Sequence, residues 1–113
     1  LGASFKADVP SIVESKSVEL ARVMGQRGMH VWVYDPVADF SRCAAPPFEV
    51  CTSAAELPEQ WDVLILAVAH RSITERSLSA WCTQLRAGGL VVDLTQRWDA
   101  AEVRRLGYRF WRL

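Results

Sequence analysis

Short apolar runs alternate with amphipathic stretches along the chain, and turn residues punctuate them at regular intervals. Leu1–Phe5 has the character of a strand end. From Ser11 to about Arg27 apolar residues recur at helical spacing. Val18, Ala21 and Met24 fall on one side, and Leu20 and Val23 widen the stripe. Ser11-Ile-Val-Glu14 has capping-box spacing, in which a hydroxyl and a carboxylate satisfy free N–H groups at a helix start. Gly28 supplies the left-handed stop. His30–Tyr34 (HVWVY) is a β-branched and aromatic strand ended by Asp35-Pro36. A loop with Pro46-Pro47 leads to a short strand, Phe48–Cys51.

Capping spacing returns at Ser53–Glu56, where Pro58 ends the helix early, at Ser72–Glu75, and at Asp99–Glu102, closed by Gly107. Between these lie Val63–Ala69, a continuous apolar run expected to be buried on both faces, and Leu90–Asp93. The helical stretch after Ser72 is predicted to reach about Arg86 and stop at Gly88-Gly89. Tyr108–Leu113 reads as an edge strand, because Arg109 and Arg112 interrupt its apolar residues. Short apolar strands separated by helices predict an α/β fold. The expected form is a three-layer α/β/α sandwich around a mainly parallel, Rossmann-like sheet of about five to six strands.

The 113 residues fit one domain, and half of them are hydrophobic, enough for a core. Thirteen basic and thirteen acidic residues cancel, which argues against nucleic acid or a membrane surface as partner. Arg104, Arg105, Arg109 and Arg112 cluster locally, as a solvated helix face and strand end would. Cys43, Cys51 and Cys82 form no CxxC pair and have no metal-ligand spacing. Reduced thiols in a cytoplasmic protein are the simplest account. The longest apolar run is too short to span a membrane. The chain opens inside a βα unit, so it reads as the tail of something larger with its first strand cut short.

Three positions hold candidate chemistry. Gly2-Ala-Ser-Phe-Lys6 is either a turn presenting Phe5 for stacking and Lys6 for a phosphate or sugar hydroxyl, or an ordinary βα turn with an exposed lysine. It has one glycine where a dinucleotide fingerprint needs GxGxxG. Asp35 stands where a ribose-binding carboxylate would, but without that fingerprint an Asp-Pro turn is the simpler reading. His70 either faces a ligand or bonds a neighbouring loop carbonyl. Five tryptophans are many for this length, and they fit core packing or contact with a further domain. No catalytic triad, activated cysteine or carboxylate pair is evident.

Taken in order, GASFKADVPSIVES, HVWVYDP, DVLILAVAH and VVDLTQRWD…LGYRFWRL resemble the C-terminal domain of the UDP-glucose/GDP-mannose dehydrogenase family, essentially end to end. The Ala-Val-Ala-His ending is similar to members that oxidise UDP-N-acetylhexosamines. The resemblance implies a nucleotide-sugar-binding domain, not catalytic alone, in which Phe5 and Lys6 touch the UDP-sugar and Thr95 and Arg97 are weaker candidates. It implies further that NAD, the catalytic cysteine and its companions belong to N-terminal domains absent from this chain, in a parent that is a homodimer or higher oligomer. The alternative is a degenerate, non-enzymatic domain serving folding or protein contacts. Two departures bear on the choice: Val13 stands where the family usually has an arginine, and Leu94-Thr95 where it usually has a basic residue. Losing two charge-assisted hydrogen bonds without replacement would lower affinity by about two to four powers of ten, unless Arg97 and its neighbours compensate.

Overall fold

A computed structural model describes residues 1–113, and every strand pairing in it is parallel. Strands β1 (Trp32–Tyr34) and β2 (Glu49–Cys51) form one ladder. Strands β3 (Trp61–Leu66), β4 (Leu85–Asp93) and β5 (Arg109–Arg112) form another. The single sheet of five to six strands predicted from the alternation is therefore not continuous. Leu1 and Gly2 link the two ladders: Gly2 N–H donates to Tyr34 C=O at 2.8 Å, and Ala67 N–H donates to Leu1 C=O at 2.9 Å. On the β1 side the next rung would need an N–H from residue 36, which is proline and has none.

Helix α1 (Lys16–Gln26) starts later than the Ser11–Glu14 spacing predicts. Glu14 lies at φ 58°, a left-handed conformation outside any right-handed helix. Ser15 caps instead, accepting from Val18 N–H, while Ser11 accepts from Val13 N–H within the preceding loop. The Ser53–Glu56 box forms in full, around only a 3-10 turn, Ala54–Glu56. Ser72 does not cap. It lies inside α2 (Arg71–Thr74), whose cap position belongs to His70, and Glu75 pairs with Arg71. Ser77 caps α3 (Leu78–Cys82) and Asp99 caps α4 (Ala100–Arg105), as Ala80 and Ala101 donate to them.

Gly88-Gly89 was expected to end a helix, yet both lie within β4. Leu85 pairs with Trp61 and Leu90 with Val63, so β4 carries extra residues against β3. The glycines accommodate this excursion, and Gly88 takes φ 72°.

Two cores form. Leu64, Leu66, Ile73, Trp81, Val91 and Val103 anchor the one under β3 and β4, and Ala3, Val18, Ala21, Val33 and Phe48 make the one between α1 and β1. Tyr34 reaches from β1 to the first, with its ring 5.6 Å from that of Trp81. The run Val63–Ala69 is not buried throughout: Leu64, Leu66 and Val68 are, but Val63 is 45% exposed. One flank of β3 faces a gap there rather than a strand. Trp81 and Trp98 are core residues, whereas Trp111 is half exposed. No helix is long and apolar enough to cross a membrane.

Candidate functional site at the carboxyl edge

Parallel strands release all their following loops at one edge, where open α/β sheets place ligands. The first such loop leaves at Gly2. Its φ is 82°, and a Cβ there would meet Val68 O at 2.2 Å, so backbone of β3's extension passes where any side chain would be. Beyond it, Ala3 and Ser4 donate their N–H groups to Asp35 Oδ2 at 2.6 and 3.0 Å, and the Ser4 hydroxyl adds a third bond at 3.2 Å. Asp35 Oδ1 accepts from Val37 and Ala38 N–H, both at 2.8 Å. His70 completes the cluster. Its Nδ1 accepts from Asp8 N–H at 2.9 Å, which assigns the ring proton to Nε2, donating to Asp35 Oδ2 at 2.7 Å. Asp8 also accepts from Arg71 N–H.

Ser4, Asp35 and His70 are all fully buried. Burial opposes ionisation of Asp35, but the amides of Ala3, Val37 and Ala38 and the His70 ring outweigh it and hold the carboxyl below its usual range. The three side chains are not a nucleophilic triad. Both ring nitrogens of His70 are engaged, and the serine donates to the carboxylate rather than to the histidine. The cluster acts as a lock that fixes the loop carrying Phe5 and Lys6. His70 thus bonds an amide and a carboxylate, not the loop carbonyl expected of it. The Asp-Pro turn at Asp35 is present, with long-range partners added.

A second loop follows β4. Asp93 Oδ1 accepts from the N–H and hydroxyl of Thr95, at 2.7 and 2.8 Å, and Oδ2 accepts from Arg97 and Trp98 N–H, at 2.8 and 2.7 Å. Burial again opposes ionisation, and the donors from Trp98, Thr95 and Arg97 again lower the carboxyl's pKa. Each of the two loops contains a non-glycine left-handed residue, Asp8 at φ 60° and Gln96 at φ 59°. Such conformations persist only where surroundings hold them.

Of the candidate ligand contacts, Phe5 is 55% exposed and Lys6 is exposed, with no ion-pair partner. Thr95 is half-buried with its hydroxyl committed to Asp93, and Arg97 holds the turn through its backbone while its side chain is exposed. The opening segment and β4 flank β3, so their ends lie ~10 Å apart on one edge. A cavity of about 700 Å³ is lined by none of the four; it opens between β1 and β3. Val13 is 71% exposed.

The opening turn has no dinucleotide glycine fingerprint, and Asp35 is sealed and fully engaged. Cys51 and Cys82 are buried, unlike a reactive thiol. Burial raises the pKa of Cys51 and pushes that of Cys82 up to about 11.

Sequence reasoning passed over Ser4, Asp8 and Ser15. Ser15 caps α1 and also donates to Ala3 C=O, joining helix to loop. The available signal was a small polar residue close to each side of the Phe-Lys pair, Ser4 and Asp8, too common a pattern to single out.

No curated protein matches the chain. A family profile does match, described as UDP-glucose/GDP-mannose dehydrogenase family, UDP binding domain, and it covers residues 1–100. That span holds both locked loops and all but the last strand, and on it the chain belongs to the UDP-glucose/GDP-mannose dehydrogenase family as a UDP binding domain.

Proposed function

We propose that this chain is the nucleotide-sugar-holding domain of an NAD-dependent nucleotide-sugar 6-dehydrogenase, one that takes a UDP-hexose or a UDP-N-acetylhexosamine to its uronate. The observation that carries the reading is the presentation of Phe5 and Lys6. They stand exposed on a loop whose backbone is fixed by Asp35 and His70, so a stacking ring and a free ammonium are offered with little ordering left to do on binding. Thr95 and Arg97, on the loop after β4 at the same edge, are the secondary contacts. NAD binding and the cysteine chemistry belong to N-terminal domains of the same enzyme, cytoplasmic and a homodimer or larger.

Titration of UDP and UDP-glucose tests this. Lys6→Ala removes one charge-assisted hydrogen bond and should weaken binding ~10- to 100-fold, with an unchanged thermal midpoint. Isolated chain mixed with UDP-glucose and NAD should produce no NADH. Unaltered affinity in Lys6→Ala, or turnover by the chain alone, overturns the reading.

One observation favours the alternative of a non-enzymatic domain kept for folding or protein contact: the large cavity gathers none of the four candidate residues. That alternative expects no thermal shift with millimolar UDP.

A further inference from the structure

His70 is sealed, and its two ring nitrogens meet different kinds of partner. Nε2–H donates to Asp35 Oδ2 at 2.7 Å, and Nδ1 accepts from the Asp8 backbone N–H at 2.9 Å. The second bond needs a neutral ring, because an imidazolium carries a proton on each nitrogen and accepts nothing. A proton added at Nδ1 would face the Asp8 N–H at hydrogen-bond distance, donor against donor. The other nitrogen has no such conflict. Asp35 stays ionised, held below its usual range by its amide donors, and its bond to Nε2–H becomes a charged one. Protonation therefore breaks the ring's tie to the opening loop and keeps its tie to the end of β1.

A replacement acceptor stands close by. Asp8 Oδ1 lies 3.7 Å from Nδ1. That oxygen accepts from Arg71 N–H at 3.0 Å, and a carboxylate oxygen has a second lone pair to offer. An approach of about 1 Å would bring it to charge-assisted bonding distance. What stands in the way is the amide of Asp8, a left-handed residue at φ 60°. Such a conformation persists only while its surroundings hold it, and Nδ1 is what holds the Asp8 N–H. The other charged groups around the ring and its partners are engaged elsewhere or exposed. The Arg71 guanidinium pairs with Glu75, the Leu1 amine donates to Ile65 C=O while feeling the charge of Asp35, and Lys6 is exposed.

We infer that Asp8 and His70 form a proton-operated latch on the loop that presents Phe5 and Lys6. Neutral His70 grips the Asp8 amide. Imidazolium exchanges that amide for the Asp8 carboxylate, and residues 5–8 are released from their present conformation. The step takes one proton from water onto Nδ1, breaks one hydrogen bond and makes one ion pair. His70 is thus a positioning residue for the exposed pair. The consequence for nucleotide-sugar binding rests on the function proposed above, whereas the latch itself does not.

NMR of the chain between about pH 8 and 5, the range in which imidazoles gain a proton, tests the latch without ligand. The His70 ring nitrogens should titrate. The Asp8 amide should move with the same midpoint and lose about tenfold or more of its protection against hydrogen exchange, while the Val91 and Val103 amides stay unmoved. Asp8→Asn keeps the amide, tolerates the left-handed conformation and removes the carboxylate charge from a side chain more than half exposed. It should carry the midpoint ~1 pH unit lower. A ring that stays neutral to the acid end overturns the latch. So does a ring that titrates over a motionless Asp8 amide, or an Asn variant with an unmoved midpoint. Loss of protection at Val91 and Val103 with that same midpoint is acid unfolding and overturns it too. UDP-glucose then measures the consequence. Its phosphates are diesters, free of the titration at ~6 that a terminal phosphate shows. Its affinity should fall about tenfold as the latch opens, and Asp8→Asn should carry that fall to lower pH. Constant affinity across an opening latch overturns its control of binding. Absence of UDP-glucose binding at every pH overturns the proposed function and leaves the latch standing.

Discussion

Asp35 and Asp93 close the parallel strands β1 and β4, are equally buried, and are ionised by the same means, a ring of amide donors. They differ in reach. The donors to Asp93 lie two to five residues away, so it shapes only its own turn. Asp35 serves its own turn as well, but it also collects Ala3, Ser4 and His70 from 31 to 35 residues away. One carboxylate bends a loop, and the other assembles three segments. The loop that presents Phe5 and Lys6 therefore depends on a residue remote from it in sequence.

Substitution separates the two roles. Asp35→Ala strands several buried donors in three segments at once and should cost ~3–5 kcal/mol. It should also abolish UDP binding in whatever fraction remains folded; denaturant melts followed by UDP titration measure both. Asp93→Ala should cost less, ~2–3 kcal/mol, and leave hydrogen exchange of the Ala3 and Ser4 amides unchanged. If the two costs are equal and both variants loosen the opening loop, the distinction fails.

The acid–base behaviour sharpens it further. Burial lowers the pKa of the Leu1 amine from 8.0 to about 6, while the charge of Asp35 pulls the other way. The folded chain thus binds fewer protons than the unfolded one between pH 6 and 8, and stability rises with pH across that window, by about 2 kcal/mol. Asp35→Asn should enlarge the rise and Asp93→Asn should leave it unmoved; melts at intervals between pH 5.5 and 8.5 resolve this. Acetylating the amine should flatten the profile. The smallest effect belongs to Lys6→Ala, which should change stability by less than ~0.5 kcal/mol while weakening UDP in calorimetric titration.

The same contrast explains what could be read from residues alone. Local chemistry was legible: Asp35-Pro36 as a turn, Asp99 as a cap, the Ser53–Glu56 box, the parallel strands from their apolar runs. Misreadings arose where a distant group overrode a local signal. Ser72-Ile-Thr-Glu75 has the right spacing, but His70, drawn into contact with Asp35, occupies the cap position. Ser11–Glu14 fails because the loop must reach Asp35 and His70 first, which delays α1 until Ser15. Gly88-Gly89 resembles a helix stop, and only pairing with β3 reveals a strand excursion. The pair Phe5-Lys6 is proposed as a ligand contact on the resemblance alone; spacing leaves it undecided between a ligand contact and a plain turn. The lock beneath it was invisible, because no periodicity links Ser4 to residues 35 and 70.

Pro36 has a mechanical consequence. Lacking a proton on its nitrogen, it denies the opening segment a further rung on β1. The segment is therefore let go by its neighbour one residue past Gly2, free to turn toward Asp35 instead of zippering onward. A Pro36→Ala chain would have a competing track at that junction, so the imino ring serves as the buffer stop at the end of the line.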